Sequence, residues 1–238
     1  MKKFFLCVLI LLGFFGFLFF TCWTQIKVKP QSFGVVVSKL SGINETPVTN
    51  GKFSFNREFL LPTNAELKIF TLKPVVSSKH IEGELPSADF YSNNGLYDFH
   101  YSFDFSFEAH VEPENVISLM KESKISNNEE LQEYINRTGD SIVQDVAAYF
   151  LKACSEQEEF IPESLGIVDL YKACSLYENY PWLQIDVLAL KASKIPDYRL
   201  YKAIRNRVLN GTDTGNNGNG SYAGTDTEIQ ETSGELAE

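Results

Sequence analysis

The sequence predicts an α+β protein with an antiparallel-rich sheet and packed helices, placed after one N-terminal transmembrane helix. Three observations lead to this fold class. An apolar run without charge extends from Phe4 to Trp23. Residues 97–111 alternate strictly between apolar and polar side chains, which is the period of a half-buried strand. Further along the chain, Pro113 and Asn127 each precede helical patterns and are typical helix-start residues.

The N-terminal run has the length and composition of a retained membrane anchor. As a helix, its twenty residues cover roughly 30 Å, the thickness of the hydrocarbon core of a bilayer. Phe4, Leu12 and Phe20 represent its lipid-facing side chains, and Trp23 closes the run where an interfacial aromatic is typical. Two lysines precede the run, so we expect a cytoplasmic N-terminus. The body is then extracytoplasmic, and periplasmic if the protein is bacterial.

Two other interpretations of this run stay open. A cleaved signal peptide has a shorter apolar region and a small-x-small cleavage site, whereas this run is longer and reads Phe-Leu-Phe-Phe before Thr21. Cys22 is a candidate lipidation site, although Phe19-Phe20-Thr21 is a poor lipoprotein box. The chain would then be a lipid-anchored, periplasmic or surface binding protein. All three interpretations place the body at or beyond a membrane.

The alternating segment Tyr97–Val111 is predicted to be a long strand with one face in a core and the other in water. Its odd positions are apolar and its even positions are polar. Because the segment exceeds the usual strand length, it bends or runs along a whole sheet with two different partners. Shorter strands are predicted at residues 31–40, 53–61, 66–72 and 182–195, with a turn at 45–52 built on Asn50-Gly51 and a loop at 75–95.

Four helices are predicted after the long strand. They cover residues 113–121, a segment from Asn127 or Asn128 to about Cys154, residues 162–176, and residues 197–209. The predicted domains are an anchor at 1–24, one α+β domain at 25–210 and a disordered acidic tail at 211–238, which is rich in Gly, Asn and Thr.

The net charge of −10 excludes some classes of partner. The N-terminal segment holds two lysines, and the tail holds six acids and no base, which leaves 19 basic and 25 acidic residues in the body. A mildly acidic body without a basic cluster argues against nucleic acid as a partner, because phosphate neutralisation supplies most of that affinity.

The four cysteines contain no C-x-x-C pair, so a redox or zinc motif has no support. Cys154 and Cys174 lie in the body. Two interpretations stay open for them: buried thiols that act as small apolar residues, or one disulfide if the body faces an oxidising compartment.

Catalytic and cofactor motifs are missing from the sequence. It contains no G-x-S-x-G, no H-E-x-x-H and no phosphate loop. His100 and His110 share the polar face of the long strand, about 33 Å apart at ~3.3 Å per residue, too far for one metal. Each has an acidic neighbour, Asp98 and Glu108, but two ligands do not make a site. We therefore expect no enzyme, no metal and no cofactor.

The order of several short segments resembles the band 7 family, also called the stomatin, prohibitin and flotillin (SPFH) domain. An anchor leads into a strand, a turn, a second strand, the long alternating strand, a helix and a late strand that enters a C-terminal helix. The matching segments are GVVVSKLSG at 34–42, PVTNGKFSF at 47–55, LLPTNAELKIF at 60–70, HVEPENV at 110–116, QDVAAYFL at 144–151 and LQIDVLALKASKIPDYRLYKAI at 183–204.

The turn has Asn50-Gly51 where the family usually has Pro-Gly, and Trp182-Leu183 stands where Gly-Ile is usual. The last helix ends near Leu209, so the chain resembles a short form that lacks the long C-terminal coiled coil. The resemblance implies a non-enzymatic scaffold that organises membrane zones or modulates membrane proteases or channels through oligomeric assembly. The implied partners are membrane lipids, a second copy or a paired homologous subunit, and a membrane protease.

Overall fold

A computed structural model describes residues 2–61, 63–91, 96–157 and 160–213. The chain divides into two compact units, Met1–Pro196 and Asp197–Glu238. Within the described residues the first unit is α+β, with antiparallel sheets, packed helices and one apolar N-terminal helix, as predicted. The described part of the second unit contains one helix. The predicted disordered tail lies outside the described residues from position 214 onward.

The α-helices of the described residues are α1 (Lys2–Cys22), α2 (Ala88–Tyr91), α3 (Pro113–Lys121), α4 (Asn128–Glu156), α5 (Ile167–Ala173), α6 (Leu176–Asn179) and α7 (Tyr198–Asp213). The strands are β1 (Ser32–Ser38), β2 (Gly42–Ile43), β3 (Val48–Thr49), β4 (Ala65–Thr71), β5 (Val75–Glu84), β6 (His100–His110) and β7 (Gln184–Lys194). Short 3-10 helices cover Thr24–Lys27, Arg57–Leu60 and Pro162–Ser164.

The first sheet is built around β1, which is buried along most of its length. β4 pairs antiparallel with β1 over seven residues, from Ser32↔Thr71 to Ser38↔Ala65. β2 and β3 pair with opposite ends of β1 and therefore share its other edge. The turn after β3 uses Gly51 at a φ of 92°, a left-handed conformation that glycine adopts without strain.

The second sheet has the order β5-β6-β7, and both pairs are antiparallel. The alternating segment is its central strand, and the prediction of two different partners is confirmed. Phe103, Phe105 and Phe107 of β6 are fully buried, while the polar residues between them are half-exposed. Two register irregularities with β7, at Asp104/Phe105 and Glu108/Ala109, let the long strand deviate from a regular ladder.

One hydrophobic core joins the two sheets with helices α3 to α6. It includes Phe33 and Phe70 from the first sheet, the β6 phenylalanines, and the apolar faces of α3 and α4. Phe150 of α4 packs against the Phe103 and Phe105 rings at centroid distances of 5.7 and 6.1 Å. The start of α4 is capped as predicted, because the Asn127 side chain accepts a hydrogen bond from the Glu130 amide.

Three predicted elements are wrong. Residues 75–84 form strand β5 and not a loop, since their polar side chains alternate on an edge strand that depends on distant β6 for pairing. Residues 53–61 form a loop with one 3-10 turn and not a strand. The helix predicted at 162–176 is divided into a 3-10 turn and α5, followed by Ser175 at a φ of 49° before α6. The helix predicted at 197–209 is present as α7, with Asp197 accepting hydrogen bonds from its first amides, but α7 continues to Asp213, past the predicted end near Leu209 and into the predicted tail.

Candidate membrane-interface site

Helix α1 is, among the described residues, the one helix long and apolar enough to cross a membrane. Its 21 residues span about 31 Å at 1.5 Å per residue. Phe4, Leu12 and Phe20 are exposed to the surroundings, as an anchor requires. The Thr21 hydroxyl donates to the Phe17 carbonyl at 2.8 Å, so this polar group is satisfied within the helix. A signal sequence passes the same length and composition test.

The end of α1 is fastened to a segment some thirty residues further along the chain. Cys22 and Thr24 are fully buried. The Thr24 amide donates to the Ser54 carbonyl at 3.1 Å, and the Asn56 amide donates to the Cys22 carbonyl at 3.0 Å. An isolated antiparallel bridge between Trp23 and Phe55 lies between these two bonds. The backbone of the body is therefore joined directly to the end of the apolar helix.

Aromatic rings reinforce this connection. Phe19 and Trp23 of the helix end contact Phe53 and Phe55, and we call these four residues the aromatic junction. Phe19 lies 6.1 Å from Phe53 and 5.8 Å from Phe55 between ring centroids, and Trp23 lies 5.7 Å from Phe53. Aromatic pairs at such distances add roughly 0.5–1.5 kcal/mol each beyond their buried area. The sequence predicted Trp23 as an interfacial anchor but did not show its partners.

The junction fixes the position of residues 53–61, which we call the interface loop, relative to the end of α1. Phe19 precedes Trp23 by about one helical turn, roughly 6 Å along the axis. Side chains that contact the Phe19 ring therefore lie level with the last turn of α1. Phe53 is nevertheless 60% exposed and Leu61 is 54% exposed. Exposed apolar side chains at this level suit the bilayer boundary better than water.

A polar network holds the interface loop to β1. The Glu58 carboxylate accepts hydrogen bonds from Ser38 at 3.0 Å, Ser41 at 2.8 Å and the buried Asn64 amide at 2.8 Å. These three donors, led by Ser41, hold the pKa of Glu58 below its usual range. On the other side of the loop, the Lys27 ammonium lies 4.7 Å from the centre of the Phe59 ring.

Acid is expected to loosen the interface loop through Glu58. A carboxyl with a lowered folded-state pKa stabilises above its unfolded pKa of about 4.3, and this contribution disappears as the pH falls through the folded pKa. Limited proteolysis at Arg57, between pH 7 and pH 3.5 with an acid-tolerant protease, should show faster cleavage at low pH. The Glu58→Gln protein should be cleaved at similar rates at pH 7 and at pH 3.5. Equal pH dependence in both proteins would contradict this role of Glu58.

Cys154 and Cys174 are part-buried free thiols in the structure. Burial, with a smaller effect of Asp145, raises the pKa of Cys174 to about 11. Burial and then Glu163 raise the pKa of Cys154. Thiols with raised pKa values are weak nucleophiles, because the thiolate is the reactive form. The disulfide between them stays a prediction that depends on the compartment, as does lipidation at Cys22.

Each of the three histidines lies between two carboxylates on the polar side of the second sheet. His80 contacts Asp104 at 2.6 Å and Glu82 at 3.4 Å. His100 contacts Asp98 at 2.7 Å and Glu84 at 2.5 Å, and His110 contacts Asp186 and Glu112 at 2.6 and 3.5 Å. The expected neighbour of His100, Asp98, is therefore present, whereas the sequence neighbour of His110, Glu108, is not its partner. No group of three or more metal-ligating side chains suited to a metal occurs in the described ranges.

The contacts of His80 and His100 with carboxylates should make the stability of the protein depend on pH. Hydrogen bonds to Asp104 and Glu82 raise the pKa of His80, and those to Asp98, with the charge of Glu84, raise the pKa of His100. A raised folded-state pKa gives stability that is complete below about pH 6.5 and is lost as the pH rises through the folded value. We expect the urea midpoint of the wild type to fall between pH 6 and pH 8.5, and the fall to be smaller in His80→Gln/His100→Gln. The same fall in both proteins would contradict this assignment.

Comparison with known proteins adds a relative but no function. A Treponema pallidum (strain Nichols) protein named "Uncharacterized protein" is 26% identical over 197 residues. The match covers 80% of this chain and 66% of the relative, so the chain spans just under two thirds of the relative's length. No protein-family model matches the chain.

Proposed function

We propose that this protein is a membrane-anchored, non-enzymatic scaffold of the band 7 type. In this proposal it organises membrane zones, or modulates membrane proteases or channels, through oligomeric assembly. The observation that carries the proposal is the aromatic junction, in which Phe19 and Trp23 of the anchor contact Phe53 and Phe55 of the body. The order of the sequence segments that resemble the band 7 family supports the same conclusion.

The junction favours a scaffold because it couples the body rigidly to the anchor. A binding protein that samples a volume beyond the membrane is usually held by a flexible linker. Here the first residue after α1 already forms a β-bridge with Phe55, and Thr24 is fully buried. A body held in one orientation presents the same faces sideways in the plane of the membrane. That geometry assists lateral assembly, because less rotational freedom is lost on association.

The same contacts support a retained helix over a removed or lipidated one. Cleavage before Cys22 would remove Phe19, which supplies two of the ring contacts of the junction. Acylation of Cys22 requires an accessible sulfur, whereas Cys22 is fully buried. The proposal therefore keeps an intact anchor with a cytoplasmic N-terminus and an extracytoplasmic body. Mass spectrometry of the intact N-terminal peptide tests this part, and an acylated Cys22 would overturn it.

The proposed partners are membrane lipids, further copies or a homologous subunit, and a membrane protease. In the described part of the chain, β5 and β7 are the edge strands of the second sheet. Edge strands carry unpaired backbone donors and acceptors and are common places for strand addition by another subunit. β5 covers ten residues and pairs with β6 without a register shift, whereas β7 has two register shifts and the Ile185 backbone groups of β7 already bond the Tyr171 hydroxyl. β5 therefore offers the more regular edge for a neighbouring copy.

Chemical crosslinking in native membranes tests the assembly. The proposal predicts a ladder of products well above the monomer mass of 26.9 kDa. Phe53→Asp/Phe55→Asp should reduce the ladder, because charge at the junction releases the body from its fixed orientation. Phe90→Asp is the matched control, since Phe90 is 71% exposed and lies outside the junction. Monomer alone in the wild type, at expression levels that leave the protein folded, would overturn the scaffold proposal.

A further inference from the structure

A pocket lined by aromatic rings lies where β6 leads into α3 and where α6 leads into β7. Its volume is about 320 Å³. Tyr171, Tyr177, Tyr180 and Trp182 supply the rings, and Glu112 and Asn115 supply polar groups. None of these residues belongs to the aromatic junction. No sequence motif indicates this pocket, because its residues come from α3, α5, α6 and the segment that leads into β7, which meet only in the folded chain.

The tyrosine hydroxyls of the pocket are largely committed to the protein itself. The Tyr171 hydroxyl donates to the Ile185 carbonyl and accepts from the Ile185 amide, both at 3.3 Å. The Tyr180 hydroxyl donates to Asp145 at 3.3 Å. A ligand therefore meets the rings and not the hydroxyls of these two residues. This disfavours sugars, whose recognition needs many hydrogen bonds, and favours a ligand that binds to π faces.

The charge of the pocket is negative. Glu112 is the one charged residue among the described residues that line it. Nearby, Asp186 and Glu112 lie on either side of His110, at 2.6 and 3.5 Å. Even with His110 protonated, these three groups carry one net negative charge. Negative charge also acts on Tyr180, whose pKa is raised by burial and then by Asp145.

We propose that this pocket binds a quaternary ammonium group. Rings of Tyr and Trp attract cations through their negative faces, and an adjacent carboxylate adds a favourable charge interaction. A quaternary ammonium carries no N–H donors, so it loses nothing when the hydroxyls are already paired. Tyr134 stacks on Trp182 at 4.9 Å between ring centroids and holds that ring in place at the pocket. The group can belong to a free solute or to the headgroup of a choline lipid.

Fluorescence titration tests the pocket directly. The chain has two tryptophans, so Trp23→Phe leaves Trp182 as the reporter. The full chain in a polyoxyethylene detergent is titrated with tetramethylammonium and with choline, against sodium chloride at equal ionic strength. We expect a saturable change in Trp182 emission with both organic cations and none with sodium. No saturable change with either cation, or an equal change with sodium, would overturn the proposal.

Variants of Tyr177 separate ring recognition from hydrogen bonding. Tyr177 is 78% exposed, so its replacement should leave the fold intact. Tyr177→Leu should weaken binding by about five-fold, the value of an exposed cation–π contact of about 1 kcal/mol, whereas Tyr177→Phe should stay within about two-fold. Glu112→Gln should also weaken binding. Equal losses in both Tyr177 variants, or binding of lysine amide as tight as that of tetramethylammonium, would contradict a quaternary ammonium site.

Reconstitution distinguishes the two sources of the group. The Trp23→Phe protein is placed in phosphatidylglycerol vesicles with or without phosphatidylcholine, and free choline is then added. Weaker apparent choline binding in the phosphatidylcholine vesicles assigns the pocket to a lipid headgroup. Equal choline binding in both vesicles assigns it to a free solute. Binding that disappears in both vesicle types would overturn the site as a property of the membrane-bound protein.

Discussion

Replacing Phe150 by alanine should lower the free energy of unfolding by about 3–5 kcal/mol. Phe150 is fully buried, and its ring lies within 5.7 to 6.2 Å of the Phe103, Phe105, Tyr149 and Phe160 rings. Truncation removes the transfer free energy of the ring and leaves a cavity whose walls come from β6 and α4. Strand β6 and helix α4 cannot move into the cavity without breaking their own backbone hydrogen bonds. Little of the lost free energy is therefore recovered by relaxation.

Thermal unfolding followed by near-UV circular dichroism measures this effect in detergent. For a domain of 150–250 residues, 1 kcal/mol corresponds to about 2–4 °C, so the midpoint should fall by roughly 10 °C. Phe90→Ala provides the control, because Phe90 is 71% exposed and its removal should change the midpoint by only a degree or two. A decrease in Phe150→Ala no larger than in Phe90→Ala would show that the β6–α4 contact is not the centre of the core.

Gly139→Ala should destabilise the protein although alanine is the better helix former. A Cβ atom at position 139 would lie 2.8 Å from the Phe107 ring, which is fully buried. Alanine in a helix gains about 1 kcal/mol over glycine, whereas overpacking of a core costs typically 1–3 kcal/mol. The net change should therefore be a loss of up to about 2 kcal/mol. Urea unfolding measures this loss in the free energy of unfolding, with the same dependence on urea concentration used for both proteins.

Shortening Phe107 should reverse the sign of the change in stability that Gly139→Ala causes. Phe107→Leu shortens the side chain that faces Gly139, at its own cost to stability. In that background Gly139→Ala should be neutral or stabilising, because the helix preference remains and the clash is gone. A double-mutant cycle gives the coupling directly. If Gly139→Ala is equally destabilising in both backgrounds, close packing against Phe107 is not the reason for the glycine.

These two sites show which parts of the fold could be predicted from local pattern. The alternation of 97–111 places Phe103, Phe105 and Phe107 on one face, and that face is the core. The same pattern cannot show which helix covers the face. From sequence alone Gly139 is a weak point in α4, whereas in the folded chain it lets the helix approach the Phe107 ring. Long-range proximity of this kind is decided by packing and not by propensity.

The wrong predictions for residues 75–84 and 53–61 have a related cause. Residues 75–84 carry Ser, Lys, His and Glu, a composition typical of loops, and become strand β5 because β6 supplies a complete ladder from Val75↔Ala109 to Glu84↔His100. Residues 53–61 show apolar residues at strand-like spacing, yet their only bridge in the described residues is Trp23↔Phe55. Their apolar side chains serve the junction with α1. In both segments a partner distant in the chain decided the conformation.

Only the part of the candidate membrane-interface site that lies on the N-terminal apolar run could be predicted from the sequence. Trp23 at the end of an apolar run indicates an interfacial residue on its own. Its partners Phe53 and Phe55 lie thirty residues away, and the Glu58 network that holds them uses Ser38 and Asn64 from two further segments. Nothing in the spacing of these residues indicates that they meet. The Asn56 side chain, which accepts from the Glu58 amide at 2.9 Å, was the one local signal of a turn.

We propose that the aromatic junction holds the body at the bilayer surface. Depth-dependent fluorescence quenching tests it most directly, with Phe53→Trp as the reporter in a Trp23→Phe/Trp182→Phe background and with brominated lipids. We expect blue-shifted emission that is quenched most strongly by bromines near the carbonyl end of the acyl chains. Emission typical of a water-exposed indole, unchanged by every brominated lipid, would contradict it.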